Sequence, residues 1–168
     1  MAMKALQQRI ALGNEADLTV PTETQLYPLG YIATIEDSAT KTVKKFIYVK
    51  ASGALTAYVP LMIAWSSTTA AEVTTTAVAT MNNYRMIGVP QQAFTSGYYG
   101  FLQIYGDAHC NCAATPTLGD ALKVTNTGAT LLTTEGSATW STSTVAMSKE
   151  AATSAADIFL TGSLAIVA

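Results

Sequence analysis

Charged side chains are scarce in this sequence. Asp, Glu, Lys and Arg make up 12% of its 168 residues, against about 25% in average soluble domains. Hydrophobic residues reach 49%, so much of the surface must consist of Thr, Ser, Ala, Asn and Gln. Such a surface suits a protein packed against neighbours better than a freely diffusing enzyme. The net charge of −2 and the lack of a basic patch with interleaved aromatic residues argue against nucleic-acid binding.

Long hydrophobic runs are also missing. The longest, residues 57–65, contains Pro60 and is far too short to span a bilayer. The first ten residues carry Lys4 but no apolar core after it, so they do not indicate a signal peptide. We therefore expect no membrane partner, and we expect the protein to be made and folded in a cytosol.

Histidine and cysteine are too few for most metal sites. The single histidine, His109, stands beside Cys110 and Cys112 in the sequence HCNC. Side chains alternate along a strand, so the two cysteines would share one face and His109 would lie on the other. The same alternation disfavours a disulfide between the cysteines. We expect no metal site and two free thiols.

Patterns typical of catalysis are absent. Asp107 and His109 would share a strand face, but no GxSxG elbow accompanies them. No loop has the GxxxxGK spacing that cradles a phosphate. Glu36 and Asp37 stand in a polar stretch and are expected to be solvated. The sequence predicts no catalytic residue and no cofactor, and favours a structural or adhesive role.

What the sequence does have is a regular alternation of strand and turn residues. β-branched and aromatic residues are abundant, and turn residues recur every eight to twelve positions. This pattern is typical of an all-β protein, here a compact β-barrel or β-sandwich domain. The predicted strands are residues 44–51, 57–65, 84–90, 98–106, 108–115, 140–148 and 157–168, with 118–134 as two strands around a turn at 126–128 and 71–81 as a strand or a polar loop.

Two stretches repeat each other's outline without a gap. Residues 91–106 and 149–162 both contain Ala, Thr, Ser, Phe and Leu at the same relative positions. Ser148 and the alanines after it could begin a short helix. The first copy contains Pro90 and Gly97, which are poor in a helix interior. We therefore interpret both copies as the tip and flanks of a β-hairpin.

The N-terminal segment differs from the rest. Residues 1–12 could form a short amphipathic helix, and residues 13–30 have two prolines and no clear periodicity. We divide the chain into an extended arm, residues 1–30, and a β-rich domain, residues 31–168. The apolar residues of the arm should pack on the domain or on a neighbouring subunit. The candidate contacts with a partner or between subunits are Leu18, Val20, Leu26, Tyr27, Leu29, Tyr98 and Tyr99.

Several segments resemble capsid decoration (cement) proteins of tailed bacteriophages. They include the hairpin RMIGVPQQAFTSGYYGFLQIYGDA, the strand entry TLGDALKV, and the terminal hairpin STVAMSKEAATSAADIFLTGSLAIV. Upstream, TQLYPLGYIAT and KKFIYVKASGALTAYVPLMI resemble the family's extended entry and first strands. The sequence departs from the family pattern at Pro90 and Phe101, and its first nineteen residues carry no family pattern.

The resemblance implies a non-enzymatic virion protein that binds the outside of an expanded capsid and stabilises it. It implies the major capsid protein as partner, and self-association as a homotrimer, with a dimer as the second choice. The protein would be made in the host bacterial cytoplasm. A tail, fibre or head-completion protein is the main alternative. A carbohydrate-binding module using Trp65 and Trp140, or a hydrolase using His109, is a weaker one.

Overall fold

The computed structural model describes residues 18, 20–37, 41–64, 72–73, 85–112, 115–124, 132–134, 144–152, 155–162 and 164–165. Every element whose bounds it gives is a β strand, which confirms the all-β prediction. The strands are β1 (Ile32–Glu36), β2 (Val43–Ala51), β3 (Leu61–Ala64), β4 (Glu72–Val73), β5 (Arg85–Gly88), β6 (Tyr99–Asn111), β7 (Ala121–Val124), β8 (Leu132–Thr134), β9 (Thr144–Ser148), β10 (Ala155–Leu160) and β11 (Leu164–Ala165). Within these residues there is no helix of the length and apolarity that a membrane span requires.

The strands form an open, folded sheet rather than a closed barrel. Their order is β11-β5-β3-β4-β2-β6-β10-β9-β7-β8, and β1 pairs with β2 beside this path. All the pairings are antiparallel except that of β2 with β4. In the described residues the two ends of the path, β11 and β8, do not pair with each other. The architecture is therefore sandwich-like.

The core lies where the two halves of the sheet face each other. Met62 of β3 and Ile87 of β5 share one buried cluster with Leu122, Val145 and Ile158 of the opposite half. Antiparallel strands that bury one face show alternating burial, because successive side chains point to opposite faces. β10 follows this rule, with its even-numbered residues from 156 to 160 buried.

β6 is the longest strand and connects the two halves. Its first part pairs with β2 and its second part pairs with β10. Leu102 and Ile104 belong to one core cluster, and Cys110 and Cys112 belong to another. The cysteines therefore share a face, as the alternation predicts, and both are free thiols.

A buried glutamine holds a bend in β6. The register with β2 shifts at Lys45, and Gly106 adopts a φ of 88°. Such a shift is a β-bulge, which bends a strand and frees backbone groups from the ladder. The side-chain amide of Gln103, 1% exposed, donates hydrogen bonds to the carbonyl oxygens of Tyr105 (3.2 Å) and Asp107 (2.6 Å). The amide thereby satisfies carbonyls at the bend.

Several strand predictions are confirmed. The predicted strand 44–51 is present as β2. The segment 118–134 contains β7 and β8, which pair antiparallel with Leu122 opposite Thr134. The turn predicted at 126–128 lies outside the described residues, as do the N-terminal helix at 1–12 and most of 71–81.

Three predictions are wrong in extent. The predicted strands 98–106 and 108–115 are not separate: β6 (Tyr99–Asn111) runs from one into the other and continues through Gly106, which pairs with Leu160 of β10. Of 57–65, the strand covers only Leu61–Ala64, since Tyr58 adopts a left-handed φ of 65° in a turn. Residues 157–168 divide into β10 and β11. β1 was not predicted, and it takes up part of the stretch that was interpreted as a polar loop.

The second copy of the repeat lies in a hairpin, as predicted, but the first lies beside only a single bridge. In the second copy, β9 and β10 pair antiparallel with Ser148 opposite Ile158. In the first, Val89, directly after β5, forms an isolated antiparallel bridge with Gln103 of β6, and residues 91–98 form the connection. The strands that carry the two copies, β6 and β10, are themselves neighbours in the sheet.

Replacing Gly106 with alanine should destabilise the fold more than the same change at Gly97. Both glycines have φ near 85–88°, which costs an L-residue about 1–2 kcal/mol. A Cβ at 106 would also collide with the backbone carbonyl oxygen of Val43, whereas a Cβ at 97 meets no atom within 4 Å. We expect Gly106→Ala to lower the free energy of unfolding by at least about 2 kcal/mol more than Gly97→Ala. Urea unfolding measures both, and equal losses would contradict this account of the bend.

Candidate binding surface

The last part of the predicted arm crosses the outer face of β2 and β6. Thr22 and Tyr99 exchange two backbone hydrogen bonds of 2.8 Å. Further along, the N–H of Gly30 donates to the carbonyl of Tyr48, and the N–H of Tyr48 donates to that of Tyr31. These contacts tie residues 22–31 to both strands. The prolines at 21 and 28 lack a backbone donor, which explains why the segment runs extended without forming a full strand.

Tyr27 anchors the arm in an aromatic cluster. Its ring stacks on Tyr31 at 5.7 Å between centroids, and it meets Tyr48 at 5.2 Å and Phe101 at 5.4 Å. The hydroxyl of Tyr48 accepts a hydrogen bond of 2.9 Å from the backbone N–H of Leu26. Pairs of aromatic rings at these distances each contribute about 0.5–1.5 kcal/mol beyond their burial. The cluster therefore gives the arm a defined position.

An apolar cleft of about 300 Å³ opens between the arm and the sheet. Aromatic rings from both β strands and from the arm form its walls. Because these rings pack against one another, the cleft has rigid sides. The lining residues are Leu18, Val20, Thr22, Leu26, Tyr27, Tyr48, Tyr99, Gly100 and Phe101.

Five of the seven candidate contacts predicted from the sequence line this cleft. Leu18, 1% exposed, forms its buried end, while Val20 and Leu26 are 55% and 60% exposed at its mouth. Tyr27 and Tyr99 are partly buried and form its sides.

The other two candidates lie beside the cleft. Leu29 packs between two core clusters. The hydroxyl of Tyr98 donates a hydrogen bond of 2.6 Å to a carboxylate oxygen of Glu23. That hydrogen bond raises the pKa of Tyr98, because it stabilises the protonated phenol. The pair fastens the arm to the start of β6.

Among the cleft residues that belong to the sheet, sequence reasoning found Tyr99 but missed Tyr48, Gly100 and Phe101. A signal for them exists in β2. Phe46 and Tyr48 alternate with Ile47 and Val49, so both faces of this strand are apolar. A strand of that kind is covered on both sides. The structure shows the second cover to be the arm.

A second, polar cleft of about 270 Å³ lies further along β6. The N–H of His109 donates to the side chain of Gln91, whose amide donates back to the carbonyl of His109, both at 3.3 Å. Asp107 and His109 both line the cleft, as their shared face predicts, but they have different partners. The paired groups are Lys149 with Asp107 at 3.0 Å, His109 with Asp157 at 2.9 Å, and Lys44 with Asp37 at 3.6 Å.

The ionisable side chains of the polar cleft lie in pairs of acidic and basic groups. Among the described residues, its lining contains no hydroxyl or thiol side chain that could serve as a nucleophile. The His109 ring also packs edge-on against Tyr58 at 4.8 Å, which fixes its orientation. In the described part of the chain, no three His, Cys, Asp or Glu side chains come together as metal ligands would.

The two thiols lie in the core on the other side of β6. Burial, and secondarily the charge of its neighbour, raises the pKa of Cys110 well above its usual value. Burial raises the pKa of Cys112 to about 11. Both thiols are therefore protonated at neutral pH, and neither is a good nucleophile.

No family model and no curated protein matches this chain. Among solved structures, it is similar to the N base of the head fibre gp8.5 of bacteriophage phi29. The two are 14% identical, with a TM-score of 0.48, and the match covers 73% of this chain and 98% of the other. A likeness at this level establishes neither common ancestry nor a shared function.

Leu18 should contribute far more to stability than Leu26, although both line the cleft. Leu18→Ala removes a side chain that is 1% exposed and should cost about 2–5 kcal/mol of unfolding free energy. Leu26→Ala removes a side chain that is 60% exposed and should cost no more than about 0.5 kcal/mol. Denaturant unfolding compares the two, and a Leu18→Ala protein as stable as the Leu26→Ala protein would show that the arm is not part of the fold.

Both thiols should be slow to alkylate in the native protein. Iodoacetamide reacts with thiolates, and near neutral pH the folded protein holds both thiols protonated and buried. Mass spectrometry should find both modified rapidly only after unfolding. Raising the pH from 9.0 to about 11 should lower stability, because the unfolded thiol ionises in that range before the folded Cys112 does. Rapid native labelling of either cysteine would contradict the core position of β6.

Proposed function

We propose that this protein is a non-enzymatic decoration, or cement, protein of a tailed bacteriophage. It binds the outer surface of the capsid, with the major capsid protein as its partner, and stabilises the shell as a homotrimer. It is made in the host bacterial cytoplasm and ends on the virion exterior. The resemblance of most of residues 25–168 to such proteins and the charge-poor, hydroxyl-rich composition support this role.

The observation that carries the proposal is the edge of β1 that faces away from β2. In the described part of the chain, β1 pairs with β2 and with no other strand. The N–H of Asp37 donates to the carbonyl of Thr42 at 2.9 Å. This hydrogen bond identifies which residues of β1 direct their backbone groups toward β2. Antiparallel pairing alternates, so the backbone groups of Ile32, Thr34 and Glu36 point away from β2.

Edge strands usually carry features that prevent pairing with another chain, and the sequence of β1 has few of them. Proteins protect edge strands with lysine, proline or bulges that prevent pairing with another chain. β1 reads Ile-Ala-Thr-Ile-Glu, with a regular register and a single charge at its end. Ile32 is 47% exposed, and Val43 on the neighbouring strand is 43% exposed. Within the part of the chain that the structure describes, the edge therefore combines unpaired backbone groups with exposed apolar surface.

Such an edge suits attachment to a shell. A strand of a capsid subunit can add to β1 and extend the sheet, with Ile32 packing beside the new strand. The contact needs few charges, in keeping with the composition. In an oligomer each copy contributes one such edge, so modest individual contacts combine into tight binding.

Co-sedimentation with expanded, undecorated capsids of the phage that encodes the protein tests the function. We expect saturable binding at a fixed number of copies per major capsid protein. A deletion of residues 1–17 leaves Leu18 in place and should remain folded, so it separates the role of the first residues from that of the edge. No binding to any form of the capsid would contradict the proposal and favour a tail or fibre protein.

The edge itself is tested by Ile32→Asp. A carboxylate at this half-exposed site should weaken capsid binding at least tenfold, about 1.4 kcal/mol, because a contact with the shell would bury it without a partner. Thr95→Asp adds the same charge on the exposed 91–98 connection and serves as the control. Equal binding by Ile32→Asp and the control would place the shell contact elsewhere.

A further inference from the structure

The most exposed large hydrophobic side chain in the described residues stands on a rigid turn. Leu118 is 75% exposed, in the turn Pro-Thr-Leu-Gly-Asp that leads into β7. The side chain of Asp120 accepts a hydrogen bond of 2.8 Å from the N–H of Thr117. The N–H of Gly119 donates to the carbonyl of Ser148, and the N–H of Ser148 donates to that of Asp120, both at 2.9 Å. The turn is thus held on two sides.

A leucine at this place is unusual for the local structure. Tight turns favour Gly, Pro, Asn, Asp and Ser, each of which satisfies the turn's backbone. Gly119, with φ of 89°, and Asp120 already fulfil those demands. Leu118 contributes nothing to them and presents an apolar knob to solvent. A single exposed leucine is ordinary on its own. It indicates a contact only if the molecule also has an apolar cleft that can receive it.

The cleft between the arm and the sheet is an apolar site of this kind. Its volume of about 300 Å³ equals that of about ten water molecules at 30 Å³ each, which leaves room for a leucine side chain and atoms of its turn. Its rings already pack on one another, so a guest would not have to order them. Preformed sites of this kind bind apolar groups at low entropic cost.

The Leu118 turn is too far from the cleft of the same copy to enter it. β7 is three strands away from β6, through β9 and β10. The turn lies level with Asp107, because Ala121, Met147, Phe159 and Asp107 are successive register partners. The cleft lies seven or so residues back along β6. At about 4.8 Å per strand and 3.3 Å per residue, the separation along the sheet is on the order of 25 Å.

We propose that copies of this chain join head to tail, with the Leu118 turn of one copy seated in the aromatic cleft of the next. Charge supports this partner. The carboxylate of Asp120 accompanies the knob, and the ammonium group of Lys50 lies 5.9 Å from the centre of the Tyr99 ring at the cleft. The knob and the cleft are different surfaces, so the contact is heterologous, and a heterologous contact closes into a ring when the rotation permits.

This inference rests on the homo-oligomer in the proposed function but not on capsid binding. A ring of three copies gives every knob a cleft and leaves β1 available for the shell. The interface can be tested in solution without any capsid. Failure of the decoration role and failure of this interface are therefore separate results.

The first test is the mass of the protein in solution. Sedimentation velocity and light scattering should show a closed oligomer for the wild type, and monomers for Leu118→Asp. Thr95→Asp, with the same added charge on another exposed turn, should assemble like the wild type. A wild type that stays monomeric, or a Leu118→Asp protein with the wild-type mass, would overturn the proposal.

The second test asks which surface receives the knob. Leu118→Cys and Val20→Cys proteins, purified separately and mixed with a mild copper oxidant, should form mixed disulfides between copies. Leu118→Cys mixed with Ser96→Cys should form about tenfold fewer, because Ser96 lies outside the cleft and meets the knob only by collision. The native thiols are buried and should not compete. Equal yields from the two mixtures would overturn the assignment of the cleft.

Discussion

The structure depends on covering the outer face of β2 and β6. Phe46, Tyr48 and Phe101 point away from the main core and would form an exposed aromatic patch on an isolated sheet. The arm covers them with Leu18 and Tyr27, and it is tied to the same two strands by backbone hydrogen bonds. Burial of these rings stabilises the two central strands, and because the cover is incomplete, it also creates the cleft. Stability and the candidate binding surface therefore have one origin.

A consequence is that the described residues offer apolar surface in three separate places. The cleft is concave and aromatic, the Leu118 turn is convex, and the edge of β1 is flat and carries free backbone groups. The first two are complementary to each other and suit contacts between copies. The third suits a different partner, because strand addition requires an extended segment and not a side chain. With few charges to steer association, shape and backbone pairing would decide the specificity of both contacts.

The sequence predicted much of this arrangement, and its failures have physical causes. Alternation along β6 predicted the shared face of Cys110 and Cys112. The apolar residues of the arm predicted four residues of the cleft, and Tyr99 of β6 was the fifth predicted residue. The continuity of β6 was missed because Gly106 is compatible with a turn, and only the pairing of β6 with β2 and β10 carries the strand through this residue. β1 was missed because its five residues give too short a pattern, and its strand conformation depends on β2. The cleft needs Tyr48 and Phe101 beside the arm, which is a tertiary contact that no local pattern contains.

Electron cryo-microscopy of expanded capsids decorated with this protein would test the central claim most directly. The account predicts rings of copies in which the Leu118 turn of each copy fills the cleft of the next, with the edge of β1 against the shell. Decorating density with an open cleft, or with the edge of β1 facing solvent, would contradict it.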